Sequence, residues 1–420
     1  MAHTVLKNSE AKHEICTRVR YFFVSRVNLG FMSLSNAKFL ANRGRIPGNR
    51  VFQHGVILGL VANNGHTPAY TNREDRKMET YVGLDVSLKN TSVCVVDKAG
   101  VVVKEGVVVS EPEAIAAFIK EHAPQVSRVG LESGPTSTWL WRELGRRAIP
   151  VICIDARHAS AALSMQVNKS DRNDALGLAR IMQTGWYRQV QVKSEDSHTI
   201  RALLASRALL INTKRTLENH LRGVLKNTGL VIGRATGGTY SVRVRELLAN
   251  EPELAAIVRP LLETRTMIDA QLLAMDKLVR GFVKARQQVR AFMTVPGVGP
   301  ITALAYLATI DDPTRFKRSR TVGAYCGLTS RRYASGEVDW SGRISKCGDS
   351  LLRSYLFEAA SALLTRTKRG CALKTWGLKL AQRTCMKKAK TAVARKLAVL
   401  LHRMWCDGTE FRWDVGTARA

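Results

Sequence analysis

From residue 81 onward, short β-branched runs give way to a strict alternation of strand-like and helix-like segments, an order that few folds accommodate. Tyr81 to Val86, Thr91 to Val96 and Val101 to Val109 read as three strands, linked by the turn-like segments Ser87-Leu88-Lys89-Asn90 and Asp97-Lys98-Ala99-Gly100. A meander is expected there. A helix over about 112–123, a strand at Arg128 to Leu131, a helix over about 136–147 and a strand at Val151 to Ile154 come next. Such a βαβα run needs a covered, partly parallel sheet. The order βββαβαβα is that of the RNase H-like fold, so residues 78–195 are expected to form an α/β domain.

The rest of the chain is helical in character. Leu261, Ile268, Met275, Phe282 and Val289 recur every seven residues, with Leu272 and Val279 between them, which predicts a helical or coiled-coil linker over 196–290. The Gly- and Thr-rich stretch Asn227 to Thr239 is expected to form its turn, and the helix pair could lie within one domain or between subunits. Residues 291–420 form the expected last domain, mostly helical. Within it, Val295-Pro296-Gly297-Val298-Gly299-Pro300 is similar to a helix-hairpin-helix turn, which could receive a phosphate or simply join two helices. Thr329 to Gly348 reads as a polar, Gly-rich loop.

Residues 1–77 lack a sustained period. The codons behind Arg73-Glu74-Asp75-Arg76-Lys77-Met78 could be purine-rich, as in a ribosome-binding site, so Met78 is expected to be the true start; a basic arm that orders on nucleic acid is the alternative.

Charge narrows the partners. Sixty-five Lys and Arg against 34 Asp and Glu leave a formal charge of +31, a long-range field that draws polyanions. The eight cysteines are scattered without metal-ligand spacing, which predicts a reducing cytoplasm and no zinc site. No run approaches a membrane span.

Four acids stand out. Asp85 ends the first strand and Glu132 follows the fourth, while Asp171 and Asp174 are three apart, on one face of a predicted helix. Taken singly, each could cap a turn or helix or pair at the surface. Gathered together they would repel and raise one another's pKa, which a divalent cation relieves; all-oxygen ligands favour Mg2+ or Mn2+. Asp97 and Asp155 are rivals at strand ends, but Asp97 belongs to a turn and Asp155 to an outer shell at most. His158 is expected to be structural or to face a phosphate. Lys387, Lys388, Lys390, Arg395 and Lys396 crowd one basic stretch suited to phosphate contact.

In order along the chain, Tyr81-Val82-Gly83-Leu84-Asp85-Val86-Ser87, Leu131-Glu132-Ser133-Gly134, Asn168-Lys169-Ser170-Asp171-Arg172-Asn173-Asp174, the Val295 to Ala303 segment and Phe316 to Thr329 together resemble the insertion-sequence 110 family of DEDD transposases, from about Met78 to near residue 405. The resemblance implies a RuvC-like domain with metal-binding catalytic acids Asp85, Glu132, Asp171 and Asp174. It also implies a C-terminal domain whose Arg-Arg-Tyr-x-Ser-Gly motif, here Arg331-Arg332-Tyr333-Ala334-Ser335-Gly336, supplies a serine that becomes covalently joined to DNA. Ser335 is thus the expected nucleophile, although chemistry alone does not separate it from Ser341 or Ser345. Ser330 departs from the family's usual Pro at that place. The further expectations are DNA and a bridge RNA as partners, a homodimer or homotetramer sharing composite sites, and action in the bacterial cytoplasm at the nucleoid. Nucleic-acid contacts are expected from Arg331, Arg332, Lys169, Arg172, Arg343, Lys346, Lys387 and Lys388.

Overall fold

A computed structural model describes residues 79–164 and 168–413; the expectations for residues 1–77 and a start at Met78 lie outside the described residues. The α/β region comprises β1 (Thr80–Val86), β2 (Asn90–Asp97), β3 (Val102–Val109), α1 (Pro112–His122), β4 (Val126–Glu132), α2 (Ser137–Arg146), β5 (Val151–Ile154), α3 (Ala156–Leu163) and α4 (Asp171–Thr184). Its five-stranded sheet has the order β3-β2-β1-β4-β5. The meander is antiparallel, whereas β4 runs parallel to β1 and β5 parallel to β4.

The two-residue period of the strands sorts side chains between two cores. Val82, Leu84, Val93, Val129 and Leu131 pack with Ile115, Ile119, Leu140 and Leu144 beneath α1 and α2. Tyr81, Cys94 and Val96 pack with Ala175, Leu178, Ala179 and Met182 of α4 on the other face. Helix α4 comes unusually close because the paired residues Gly83 and Gly130 have no side chains. A Cβ at Gly83 would lie 2.1 Å from the Ala175 carbonyl oxygen and 2.3 Å from the Ala179 nitrogen, and one at Gly130 2.6 Å from Met182 Cγ. Because the Gly83 obstacle is backbone, Gly83→Val must lift the helix. Overpacking of this kind costs about 1–3 kcal/mol, so the melting temperature should fall by at least about 3 °C. An unchanged melting curve would contradict this packing.

Beyond it, α5 (Glu195–Asn227), α6 (Gly238–Leu247) and α7 (Pro252–Ala285) form a long hairpin. Arg207 to Asp276 (2.7 Å) and Lys214 to Asp269 (2.5 Å) tie α5 to α7 within the chain. Ile268 and Val279 of the predicted stripe are buried, but Val289 belongs to a separate helix. The expected turn at Asn227 to Thr239 is only part of the connection, since α6 lies in it. Tyr240, Val244 and Leu248 give α6 an apolar face that caps Leu221, Leu225, Val258 and Leu262. Buried Arg265 holds this cap through Glu218 (2.8 Å), Asp269 (3.0 Å) and the Gly237 carbonyl (2.8 Å).

The C-terminal region contains α8 (Gln287–Met293), α9 (Pro300–Ile310), α10 (Arg320–Tyr325), β6 (Ser330–Ser335), β7 (Val338–Ile344), α11 (Ser350–Thr365), α12 (Ala372–Arg383) and α13 (Met386–Asp407). Its core is α9 wrapped by α11 and α13, with Tyr306 donating a hydrogen bond to the Ala398 carbonyl at 2.7 Å. A short turn joins α8 to α9 where the helix-hairpin-helix-like turn was expected. Gly297, at φ +88°, presses on α11, where a Cβ would lie 2.4 Å from the Ala359 carbonyl oxygen, so α11 is what requires this glycine. Thr329 to Gly348 is not a loop throughout: β6 and β7 form an antiparallel hairpin within it.

One joint fastens the α/β region to the helical one. Asp311, at φ +67°, accepts hydrogen bonds from the Ser194 nitrogen (2.9 Å), Ser194 Oγ (2.5 Å) and Ser197 Oγ (2.6 Å). Beside it the half-buried Lys193 ammonium donates to the Thr309 carbonyl. No helix among the described residues is long and apolar enough to cross a membrane.

Candidate active site

The acids gather because the backbone carries them to one edge. Leu84 pairs with Leu131 in the parallel ladder, so the next residues, Asp85 and Glu132, leave neighbouring strands at the same level. Neighbouring strands lie about 4.8 Å apart. Two residues earlier, the Gly83 and Gly130 seat receives α4. Ser170 caps that helix, its hydroxyl accepting from the Asn173 nitrogen at 3.2 Å, and the first turn presents Asp171 and Asp174 at the helix end that favours negative charge.

Electrostatics reports the same assembly. The half-buried Asp85 carboxyl is pushed up from 3.8 to about 6, chiefly by lost hydration and then by the charges of Asp171 and Asp174, against which Lys169 acts. Glu132 is also raised, by burial first and then by Asp85, with Lys169 opposing and Asp174 adding. Asp171 and Asp174 thus act on Asp85, Asp85 and Asp174 act on Glu132, and Lys169 opposes both shifts. Their chemistry fits a divalent cation: oxygen donors, partly dehydrated and mutually repelling. Among the described residues no three His, Cys, Asp or Glu side chains stand in a closed coordination shell, so these acids would have to draw together around an ion.

This strain has a sign. A carboxyl whose folded pKa lies above its unfolded value adds stability while protonated and loses it as pH rises, here between 3.8 and about 6. Asp85→Asn removes the charge. After discounting for solvent screening, the metal-free variant should melt about 2–4 °C above wild type at pH 7.5, with the difference gone at pH 4. Equal melting temperatures at both pH values would count against a crowded Asp85.

Other residues fall elsewhere. Asp97 accepts from the Ala99 and Val101 nitrogens, each at 2.9 Å, and so organises a turn. Asp155 caps α3 and pairs with Arg157 (2.9 Å). The His158 ring lies edge-on to Trp186 with centroids 5.1 Å apart, and its buried Nδ1 has no hydrogen-bond partner among the described residues. Arg172 is engaged by Glu105 at 2.5 Å.

Ser335 ends β6 opposite Val338 and is exposed. Groups acting on Asp85 and Glu132 are the other acids and Lys169; the serine is not among them. The hairpin's root nevertheless lies near the acidic edge, because Arg157 at the start of α3 also interacts with the Cys347 thiol just past β7. Arg331 donates to the Ser345 carbonyl at 3.3 Å and Arg332 forks onto Asp339 at 2.6 and 2.8 Å.

Arg343 and Lys346 line an open cleft of about 2180 Å3 together with Lys387 and Lys388. Arg318, Arg320, Arg395, Lys396 and Arg403 face it too, against the acids Asp407 and Glu410. Arg403 was missed in sequence. Its spacing from Arg395 and Lys388 places all three near one face of α13, which was the available signal.

Comparison with known proteins gives two family matches in the order of these domains. Residues 82–229 match a DEDD transposase family of IS110 type, described as Transposase, and residues 289–375 match the Transposase IS116/IS110/IS902 family. The chain is 28% identical over 336 residues to the transposase for insertion sequence element IS1111A of Coxiella burnetii, covering 78% of this chain and 90% of that protein. It is 27% identical over 255 residues to a probable family 20 transposase of Pseudomonas aeruginosa, covering 58% and 74%. A pilin gene-inverting protein of Moraxella bovis matches at 24% over 292 residues, covering 67% and 82%.

Proposed function

Because the chain belongs to the IS110 family of transposases by both of its domains, we propose that this insertion-sequence transposase cuts and rejoins DNA with two kinds of group, the carboxylates at the sheet edge and the hydroxyl of Ser335. The observation that carries the proposal is the convergence of Asp85, Glu132, Asp171 and Asp174 in one field at the end of a sheet ordered β3-β2-β1-β4-β5. That order, with its antiparallel meander and parallel second half, supports an RNase H-like (RuvC-like) domain over 78–195, a helical linker over 196–290 and a transposase domain over 291–420.

Asp85, Glu132, Asp171 and Asp174 would hold magnesium or manganese. What that ion supplies when bound is charge to offset the carboxylates and stabilisation of the phosphate oxygens. Lys169 and the cleft cations grip the backbone. Ser335 Oγ attacks phosphorus. As the P–Oγ bond forms, one P–O bond to the strand breaks, and the released end takes up the proton given up by the hydroxyl. Attack by a new strand end reverses these changes and frees the serine. Since Ser335 stands on an exposed arm outside the acids' field, a homo-oligomer would complete the site by bringing the arm of one copy to the carboxylates of another. The cations of the cleft suit the backbone of a guide RNA as well as that of DNA, in keeping with the bridge RNA implied by the family resemblance.

The test is product analysis. Supercoiled plasmids carrying the element's ends, incubated with the full chain, magnesium and the RNA transcribed beside the gene, should give new covalent junctions. Cut ends that never rejoin would replace this reading with that of a hydrolytic nuclease.

A further inference from the structure

The arm carrying Ser335 has two unlike faces. Directly opposed residues of an antiparallel pair project to the same side, and successive residues alternate. Ser335 opposes Val338 and Tyr333 opposes Trp340, so these four side chains share one face. On the other, Ala334 opposes Asp339, whose charge is taken by Arg332. That face is satisfied internally.

The serine's face is open and apolar. Tyr333, Val338 and Trp340 are 54%, 52% and 56% exposed. Tyr333 and Trp340 stack with centroids 6.0 Å apart and planes inclined by 27°. The indole also lies down over Gly342, where a Cβ would meet its Cζ3 at 2.8 Å. A glycine at this strand position thus lets the ring settle against its own backbone while leaving an outer surface free. Two aromatic rings are preorganised on the hydroxyl's side of the hairpin, each about half exposed among the described residues.

The surrounding charge indicates the occupant. Arg331, Arg343 and Lys346 are exposed on the hairpin and its root, against Glu337, and the β7 side continues into the basic cleft. A polyanion is drawn to the hairpin, and a flat apolar platform on one of its faces suits a nucleobase, which offers a π-surface in every sequence. We propose that Tyr333 and Trp340 form a stacking subsite for an unpaired DNA base next to the phosphate that Ser335 attacks. Both are positioning residues, and their place in the reaction rests on the Ser335 reading above. Val338 floors the subsite, and Gly342 fixes the angle of the indole.

Binding of the full chain to a short single-stranded DNA, to the same strand with abasic sites, and to an RNA of the same sequence tests this. Wild type should prefer the base-bearing DNA over the abasic strand by about 5- to 100-fold. Trp340→Ala and Tyr333→Ala should reduce that ratio at least fivefold, whereas Trp340→Phe and Ser335→Ala should keep it. Retention in Ser335→Ala separates the two readings, because that variant loses the covalent adduct if the serine is the nucleophile yet still stacks bases. A ratio unchanged in folded Trp340→Ala overturns the subsite, as does a preference confined to RNA. An altered oligomeric state in Trp340→Ala with the DNA ratio intact would assign the face to a second copy of this chain and likewise overturn it.

Discussion

Asp85→Asn and Glu132→Gln chains are expected to bind DNA as wild type does and to cut it at least about 10^3-fold more slowly. Lewis-acid stabilisation of a transferring phosphate is worth several kcal/mol, and each 1.4 kcal/mol is about a factor of ten. Asp85 and Glu132 emerge side by side from adjacent parallel strands, so each substitution removes one oxygen ligand with little change in volume. Binding should survive because the cations of the basic cleft lie in the other domain. A single-turnover cleavage assay with a filter-binding control measures both. Cleavage within tenfold of wild type in either variant would make the acid cluster a structural feature only.

Ser335→Ala should abolish the protein–DNA adduct altogether. Its expected signature is a radiolabelled strand that migrates with the polypeptide under denaturing conditions for wild type and does not for the variant. The hydroxyl is exposed at the end of β6 and supports no core, so the variant should fold and melt like wild type. Ser341 and Ser345 are the controls, and substituting either with Ala should leave the adduct in place. An adduct that persists in Ser335→Ala and disappears in Ser341→Ala would move the nucleophile to β7.

Much of the α/β region was legible because its strands alternate about a covered sheet. The meander, the parallel strands and the strand-end acids Asp85 and Glu132 follow from period two and from where an apolar run stops at a carboxylate, whereas Asp171 and Asp174 were marked by their helical spacing and by the family resemblance. The seat for α4 was not legible. Gly83 and Gly130 are unremarkable until the helix Asp171–Thr184, far along the chain, has a place, and only then does the nearness of Asp174 to Asp85 have a cause. The β6–β7 hairpin was hidden for the opposite reason. Nearly all its residues are exposed, so no buried stripe marks the period, and Ser330 to Ser335 looks like loop. The clamp between Ser194 and Asp311 joins residues 117 apart, beyond the reach of any local pattern. Lys169 could be read as a phosphate contact from its charge, but its part in balancing Asp85 and Glu132 required their coordinates in space.

Crystals of the full chain soaked in manganese and measured at the metal's absorption edge test the carboxylate centre most directly. Anomalous density between Asp85, Glu132 and the first turn of α4, weakened or lost in Asp174→Asn, is the predicted result. Manganese bound only at other surfaces, with that edge of the sheet left without density at millimolar metal, would contradict it.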